Sequence, residues 1–243
     1  MVKLLKGLYQ VGGATLSHPW DGSTYLIVDR GEAALIDCGS HLGLEKLLGN
    51  IEGHGVSLDQ VKLIIGTQGH FDHVEGVKHL KALKPGLRFA LHRDDVETVE
   101  TGDPERTCSG WLYNQTFHLP CQVDRVLQDG DVVRVGDLAL KVLHLPGHCP
   151  GHIGIAAEIT GLKVLFAGST VHGAYGTRVG GDLKAWKKSL TRLLKVDTDL
   201  FTESHSNCVL YGDPEKRIQE ALWRIENQYF NFGNPVFRQI LYP

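Results

Sequence analysis

His70, Asp72 and His73 crowd the short stretch "TQGHFDHVEG", residues 67 to 76. It follows "VKLIIGT", an apolar run that reads as a buried strand, so the three side chains sit on a tight loop and fan out around a volume. Three further strand-like runs end in comparable residues: "HLPGHCPGH" carries His148, "FAGST" carries Ser169 and "ESHSN" carries His205. If these strands finish at the same sheet edge, their loops converge. Imidazole nitrogens with a carboxylate oxygen form a donor set for Zn2+ or Fe2+, and three protein ligands leave a position for water. One H-x-D-H is equally well a hydrogen-bonded turn. The P-G-H-x-P-G-H loop, whose glycines permit tight backbone near His148, and the strand-terminal His205 tip the reading toward a metal.

The elements that must position these loops are legible in the apolar spacing. "TYLIVD" and "AALIDCG" form a hairpin about Arg30–Gly31–Glu32. Leu44, Leu47, Leu48 and Ile51 fall at helical spacing, with Ser40 as the expected N-cap. Val74, Val77, Leu80 and Leu83 predict one helix that Pro85–Gly86 ends. Residues 104 to 121 lack periodicity and carry Trp111 and Phe117, which predicts a surface excursion over the site. Strands resume in "DVVRVGDLALKVLHL", and "HIGIAAEI" with "LKVLFAGS" make a second hairpin. Asp182 caps a helix carrying Leu183, Trp186, Leu190 and Leu194, and "DLFTESH" is one more strand. Asp213 as N-cap and Pro214 at the first helical position start a last helix with Ile218, Leu222, Ile225 and Tyr229 on its buried face. Hairpins in two halves, each followed by helices, predict an α/β fold with two central sheets and helices outside. His41, His54, His79, His92 and His118 stand singly among polar or turn residues and read as surface or hydrogen-bonded core histidines.

The bulk composition limits the function classes. A chain of 243 residues, 42% apolar and 22% charged with a formal charge of -3, is that of a soluble globular protein, expected as a single domain over residues 1–243. No basic stripe predicts nucleic-acid binding, and no apolar run reaches membrane-spanning length. The five cysteines, Cys38, Cys108, Cys121, Cys149 and Cys208, include no C-x-x-C pair and suit reduced thiols. With no apolar signal segment in "MVKLLKGLYQVGGATL", the expected location is cytoplasmic.

Taken in order, "LIDCG", "TQGHFDH", "LPGHCPGHIG", "LFAGST" and "FTESHSN" resemble the motif series of the metallo-β-lactamase superfamily, over about residues 20 to 210. The resemblance implies a four-layer αββα sandwich with metal sites at one edge of the sheets. It implies a first metal site at Gln68, His70 and His148, and a second at Asp72, His73 and His205. Asp37 matches an acidic residue near that site, although a turn carboxylate before Gly39 explains it equally well. Two positions depart from the common pattern: Gln68 replaces a histidine, and Ser169 replaces an aspartate that bridges two metals. A neutral amide is a poor zinc ligand, and losing a bridging carboxylate removes the charge that holds two dications together.

The combination is similar to a β-lactamase subclass with an Asp-His-His second site and a glutamine variant of the first. Val171 stands where that subclass tends to place a hydroxyl, which leaves the lactam substrate open. The resemblance therefore implies a hydrolase of a lactam, lactone or thioester carbonyl, with Zn2+ or another divalent metal such as Fe2+, one or two per chain. In that reading Asp72, His73 and His205 hold the working metal, Asp72 or His70 takes up the proton, and Ser169 or Gln68 hydrogen-bonds water or substrate. The alternative is a degenerate member that binds a ligand or partner without catalysis. Iron redox chemistry is the weaker third reading, since such relatives use the first site with an acid at the position of Ser169. The expected partner is a small-molecule substrate, with no nucleic acid or membrane, and the oligomeric state is left open.

Overall fold

Alternation along each strand decides which layer its side chains join. In the computed structural model, which describes residues 2–205 and 210–227, Tyr25 and Ile27 of one strand join one apolar cluster while Leu26 and Val28 between them join another. The same division holds for Ala34 and Ile36 against Ala33 and Leu35. Three apolar layers result, and they separate four layers of structure.

The first sheet has seven strands in sequence order: β1 (Val2–Leu5), β2 (Leu8–Gly12), β3 (Thr24–Asp29), β4 (Glu32–Ile36), β5 (Val61–Ile65), β6 (Arg88–His92) and β7 (Arg125–Leu127). The second holds β8 (Val132–Val135), β9 (Leu138–His144), β10 (Ile153–Ile159), β11 (Leu162–Phe166) and β12 (Leu200–Thr202), in the order β12-β11-β10-β9-β8. Ile27, Ile36 and Ile65 of the first meet Leu140, Val142, Ile155 and Phe166 of the second in the central layer. On the outer face of the first sheet lie α1 (Leu44–Gly53), α2 (Phe71–Val74), α3 (Val77–Leu83) and α4 (Arg93–Thr101), through Leu47, Ile51, Phe71, Val77, Leu80 and Val99. Against the second pack α5 (Leu183–Leu193) and α6 (Pro214–Glu226), through Trp186, Leu190, Ile218 and Ala221. This is the predicted α/β sandwich of αββα layers. No helix among the described residues is long and apolar enough to cross a membrane.

The predicted hairpins close as expected: β3–β4 turns at Arg30 and Gly31 with φ of 50 and 79°, and β10–β11 at Thr160 and Gly161 with 53 and 80°. Consecutive positive φ values give the turn a twist that matches the strands, and glycine at the second position relieves the strain. From β4 onward the first sheet is parallel, so β4, β5 and β6 end on one edge. In the second sheet β10 runs against both β9 and β11, and β12 runs with β11. The ends of β9, β11 and β12 therefore share an edge as well.

Four local expectations are corrected. Ser40 is not the N-cap of α1, whose N-cap is Gly43; its hydroxyl bonds Asp21 at 2.6 Å instead. The helix predicted through Val74, Val77, Leu80 and Leu83 is two pieces, α2 and α3, and Leu83 is exposed. Asp213 makes no cap bond, because its carboxylate takes Arg217 at 2.8 Å, although Pro214 does open α6. The 104 to 121 excursion is anchored rather than superficial, since Cys108, Tyr113 and Phe117 are buried in the outer core. Tyr229 lies outside the described residues.

Candidate metal centre

The loop after β5 begins with Gly66 and Thr67 and reaches His70, which stands at the N-cap of α2 in extended backbone. Asp72 and His73 then occupy the single turn of α2, both buried. The His73 ring is fixed from behind: its Nδ1 lies 2.7 Å from Asp37 Oδ2. Asp37, at φ 59° just past the end of β4, also receives the Thr67 N–H at 2.7 Å and the Thr67 hydroxyl at 2.8 Å. With Nδ1 committed to a carboxylate, the lone pair of His73 is on Nε2. That atom faces Asp72 Oδ2 at 3.4 Å, and His205 Nε2 stands 3.3 Å from the same oxygen. One donor atom from each of Asp72, His73 and His205 lies within 4.8 Å of the others.

The remaining residues gather alongside. The His70 and His148 rings meet edge to face with centroids 4.8 Å apart. His148 donates Nδ1–H to the Ala174 carbonyl at 2.5 Å, which leaves its Nε2 as the basic nitrogen. Gln68 Nε2 donates to Ser169 Oγ at 3.0 Å, so the amide that replaces the expected histidine is engaged by the serine that replaces the expected aspartate. All eight residues singled out in the sequence, Asp37 among them, are thus at one edge of the two sheets.

Several groups that hold the site were not singled out individually in the sequence. Asp95 on α4 is buried and receives the N–H groups of Gly69 at 2.8 Å and Gly151 at 2.9 Å, which ties the His70 loop to the His148 loop. A Cβ on Gly151 would collide with the Asp95 carboxylate, so the close approach requires glycine. His152 accepts the Ser169 N–H on Nε2 at 2.8 Å, setting the loop after β11. Tyr113, from the 104 to 121 segment, is buried near Asp72, and burial with that charge pushes its phenol well up; its ring stacks on Phe71 with centroids 5.2 Å apart. Asp95 stands in the first turn of α4, where an acidic residue is ordinary, and Tyr113 lies in a stretch without periodicity.

The electrostatics keep His70 and His148 neutral and, in the metal-free protein, charge His73 beside the buried Asp72. Burial, with neighbouring imidazoles, holds His70 well below the usual histidine value. Burial sets His148 at about 4 despite its bond to Ala174. For His73 burial acts downward too, but Asp72 and Asp37 outweigh it and lift the ring to about 9. Among the buried side-chain nitrogens, Nε2 of His70 and Nε2 of His73 have no hydrogen-bond partner. A buried polar atom without a partner is costly, and two such ring nitrogens beside a carboxylate, His73 giving up its proton, are what a divalent cation satisfies. The residues present therefore fit a metal.

Comparison with known proteins gives the family and the fold. The family model for the metallo-beta-lactamase superfamily matches residues 18–205. An acyl-coenzyme A thioesterase, MBLAC2, of Bos taurus is 29% identical over 170 residues, 61% of this chain and 57% of the relative, so the chain spans little more than half of that protein's length. The hydroxyacylglutathione hydrolase GloC of Haemophilus influenzae is 31% identical over 200 residues, covering 80% of this chain and 89% of the relative. Among solved structures, the metallo-beta-lactamase GOB-18 of Elizabethkingia meningoseptica superposes with a TM-score of 0.75 over 93% of this chain and 89% of its own, at 22% identity, a likeness of fold.

Proposed function

Because the chain belongs to the metallo-β-lactamase superfamily and its relatives are hydrolases, we propose that this metal-dependent hydrolase cleaves a thioester carbonyl, using one metal held by Asp72, His73 and His205. The observation that carries the proposal is the buried, partnerless Nε2 of His73 beside Asp72 and His205. A divalent metal there, zinc by the nitrogen-rich donor set, supplies the Lewis acidity that acidifies water and polarises a carbonyl. The thioester preference is supported by two relatives named for hydrolysis of acyl-coenzyme A and hydroxyacylglutathione.

The chain's own residues do the rest. Asp37 fixes the tautomer and direction of His73, and the buried Tyr113 of the covering segment stands near Asp72. His70, neutral and partnerless at Nε2, or Asp72 receives the proton lost from water. Ser169, which accepts from Gln68, keeps its own hydroxyl proton to donate toward substrate. With Gln68 engaged by Ser169 and no carboxylate at the bridging position, a metal at the Gln68, His70 and His148 position is held weakly.

The test is hydrolysis of an S-acylglutathione, an acyl-coenzyme A, a lactone and a chromogenic lactam by zinc-loaded protein. Thioesters should turn over fastest, and Asp72→Asn should lower kcat/KM by about 10³-fold with the circular dichroism unchanged. His73→Ala should lose one metal ion per chain and Gln68→Ala none, while Gln68→His with Ser169→Asp should gain one. A folded, metal-loaded protein inert on all four substrates would return the site to the non-catalytic binding reading.

A further inference from the structure

Three of the histidines that stand alone in the sequence meet around one carboxylate. Glu75 ends the turn of α2, and its side chain is fully excluded from solvent. His41, in the turn after β4, places Nδ1 2.8 Å from Glu75 Oε2, and its backbone N–H donates to the same oxygen at 2.7 Å. His118, from the 104 to 121 segment, places Nδ1 2.6 Å from Oε1. His79, one turn along in α3, brings Nε2 to 3.7 Å from Oε1, beyond hydrogen-bond length. That nitrogen is buried and has no hydrogen-bond partner. One donor atom from each of the four residues lies within 4.8 Å of the rest.

A carboxylate taken out of water needs a counter-charge or a full set of hydrogen bonds. The ion-pair partners of Glu75 among the described residues are these three imidazoles, with no lysine or arginine. Neutral imidazoles leave the His79 nitrogen unsatisfied. Charged ones repel one another, since the ring centroids are 4.7, 5.3 and 5.7 Å apart. A divalent cation resolves both difficulties at once. Tetrahedral zinc, with bonds of about 2.0–2.2 Å, sets neighbouring ligand atoms roughly 3.3 Å apart, and the separations of 2.6, 2.8 and 3.7 Å from Glu75 bracket that distance.

We propose that His41, Glu75, His79 and His118 form a second zinc site, distinct from the centre at Asp72, His73 and His205, that ties the 104 to 121 segment to α2 and α3. Four protein ligands leave no open position, which makes the site structural. Side-chain exposures of 25, 32 and 36% for His41, His79 and His118 give an ion access from solvent. The segment it fastens is the one that carries Tyr113 to Asp72. The histidines stacked at His92 and His144, with centroids 3.9 Å apart, are less suited. There His92 Nδ1 accepts the Asp94 N–H at 3.3 Å and His144 Nε2 bonds the Pro150 carbonyl at 2.8 Å.

The test separates the two sites by variant. Full-length protein stripped with chelator is reloaded with zinc, dialysed and analysed for zinc per chain. The double variant His73→Ala with His205→Ala should retain one zinc ion, and zinc should raise its melting temperature. Adding His79→Gln or His118→Gln should remove both the ion and the thermal shift. Retention of zinc after those changes, or no zinc in the double variant, would overturn the site. Should these variants fail to fold, crystals of zinc-loaded wild type give a direct answer at the zinc absorption edge. An anomalous peak between the three rings and Glu75 supports the site, and its absence while the Asp72 centre is filled refutes it.

Discussion

A single oxygen, Asp37 Oδ2, settles which way His73 presents its lone pair, and the pattern around it shows how far residue types alone can be read. "LIDCG" left Asp37 as either a turn carboxylate or a site acid; at φ 59° and 2.7 Å from His73 Nδ1 it is both. A carboxylate behind a ligating imidazole strengthens the ligand and fixes its orientation. Asp37→Asn keeps a residue that tolerates positive φ but removes the charge. It should weaken zinc binding at the Asp72, His73 and His205 centre by about 10–100-fold, read by competition with a chromophoric chelator. Unchanged affinity would reduce Asp37 to its turn role. The ligand candidates themselves were legible because metal chemistry demands particular side chains. Asp95 was not, because nothing in a helical first turn announces that a carboxylate will reach two glycine N–H groups on separate loops.

Helix starts show the same limit at the scale of elements. Asp182 and Asp213 carried the same capping signature, and the two differ in what they bond. Asp182 Oδ1 receives the N–H groups of Lys184 at 2.8 Å and Ala185 at 3.0 Å, and its own N–H donates to the Gly147 carbonyl at 2.9 Å beside His148. Asp213 instead pairs with Arg217 on the surface. Asp182→Ala should therefore destabilise the fold by about 1 kcal/mol, and Asp213→Ala by clearly less, as expected for an exposed i,i+4 pair. Chemical denaturation midpoints with unchanged slopes would establish the order. Equal losses would mean that Asp213 caps α6 in solution.

Across the whole molecule, burial of histidines sets the acid response of the metal-free protein. Burial holds His92 and His148 at about 4, and His70 and His152 well below the ordinary value. Below about pH 6.5 the unfolded chain binds protons at these positions that the folded chain refuses, so stability falls as the pH drops toward 4. His73 acts in the other direction. Its folded value of about 9 exceeds the unfolded one, so its contribution is complete below about pH 6.5 and is lost as the pH rises through 9. Melting temperatures in chelator from pH 9.5 to 4.5 should therefore peak near neutrality and drop steeply on the acid side, with His92→Asn flattening part of that drop. A melting temperature still rising at pH 4.5 would contradict the assignment.

Apart from β1, β2, β6, β7 and α4, which were not read from it, what the sequence determined by itself was the order of strands and helices, the two hairpins and the identities of the metal-binding candidates. Those follow from periodicities of two and 3.6 residues and from which side chains can donate to a metal, and both are local properties. Only the tertiary structure decided which loops share an edge, because that depends on β9, β11 and β12 running parallel with β10 reversed between them. It likewise decided that α2 and α3 are separate, that Gln68 bonds Ser169 101 positions away, and that His41, His79 and His118 meet on Glu75. Each of these is a contact between residues distant in the chain, which side-chain chemistry permits in many pairings and packing around three apolar layers reduces to one.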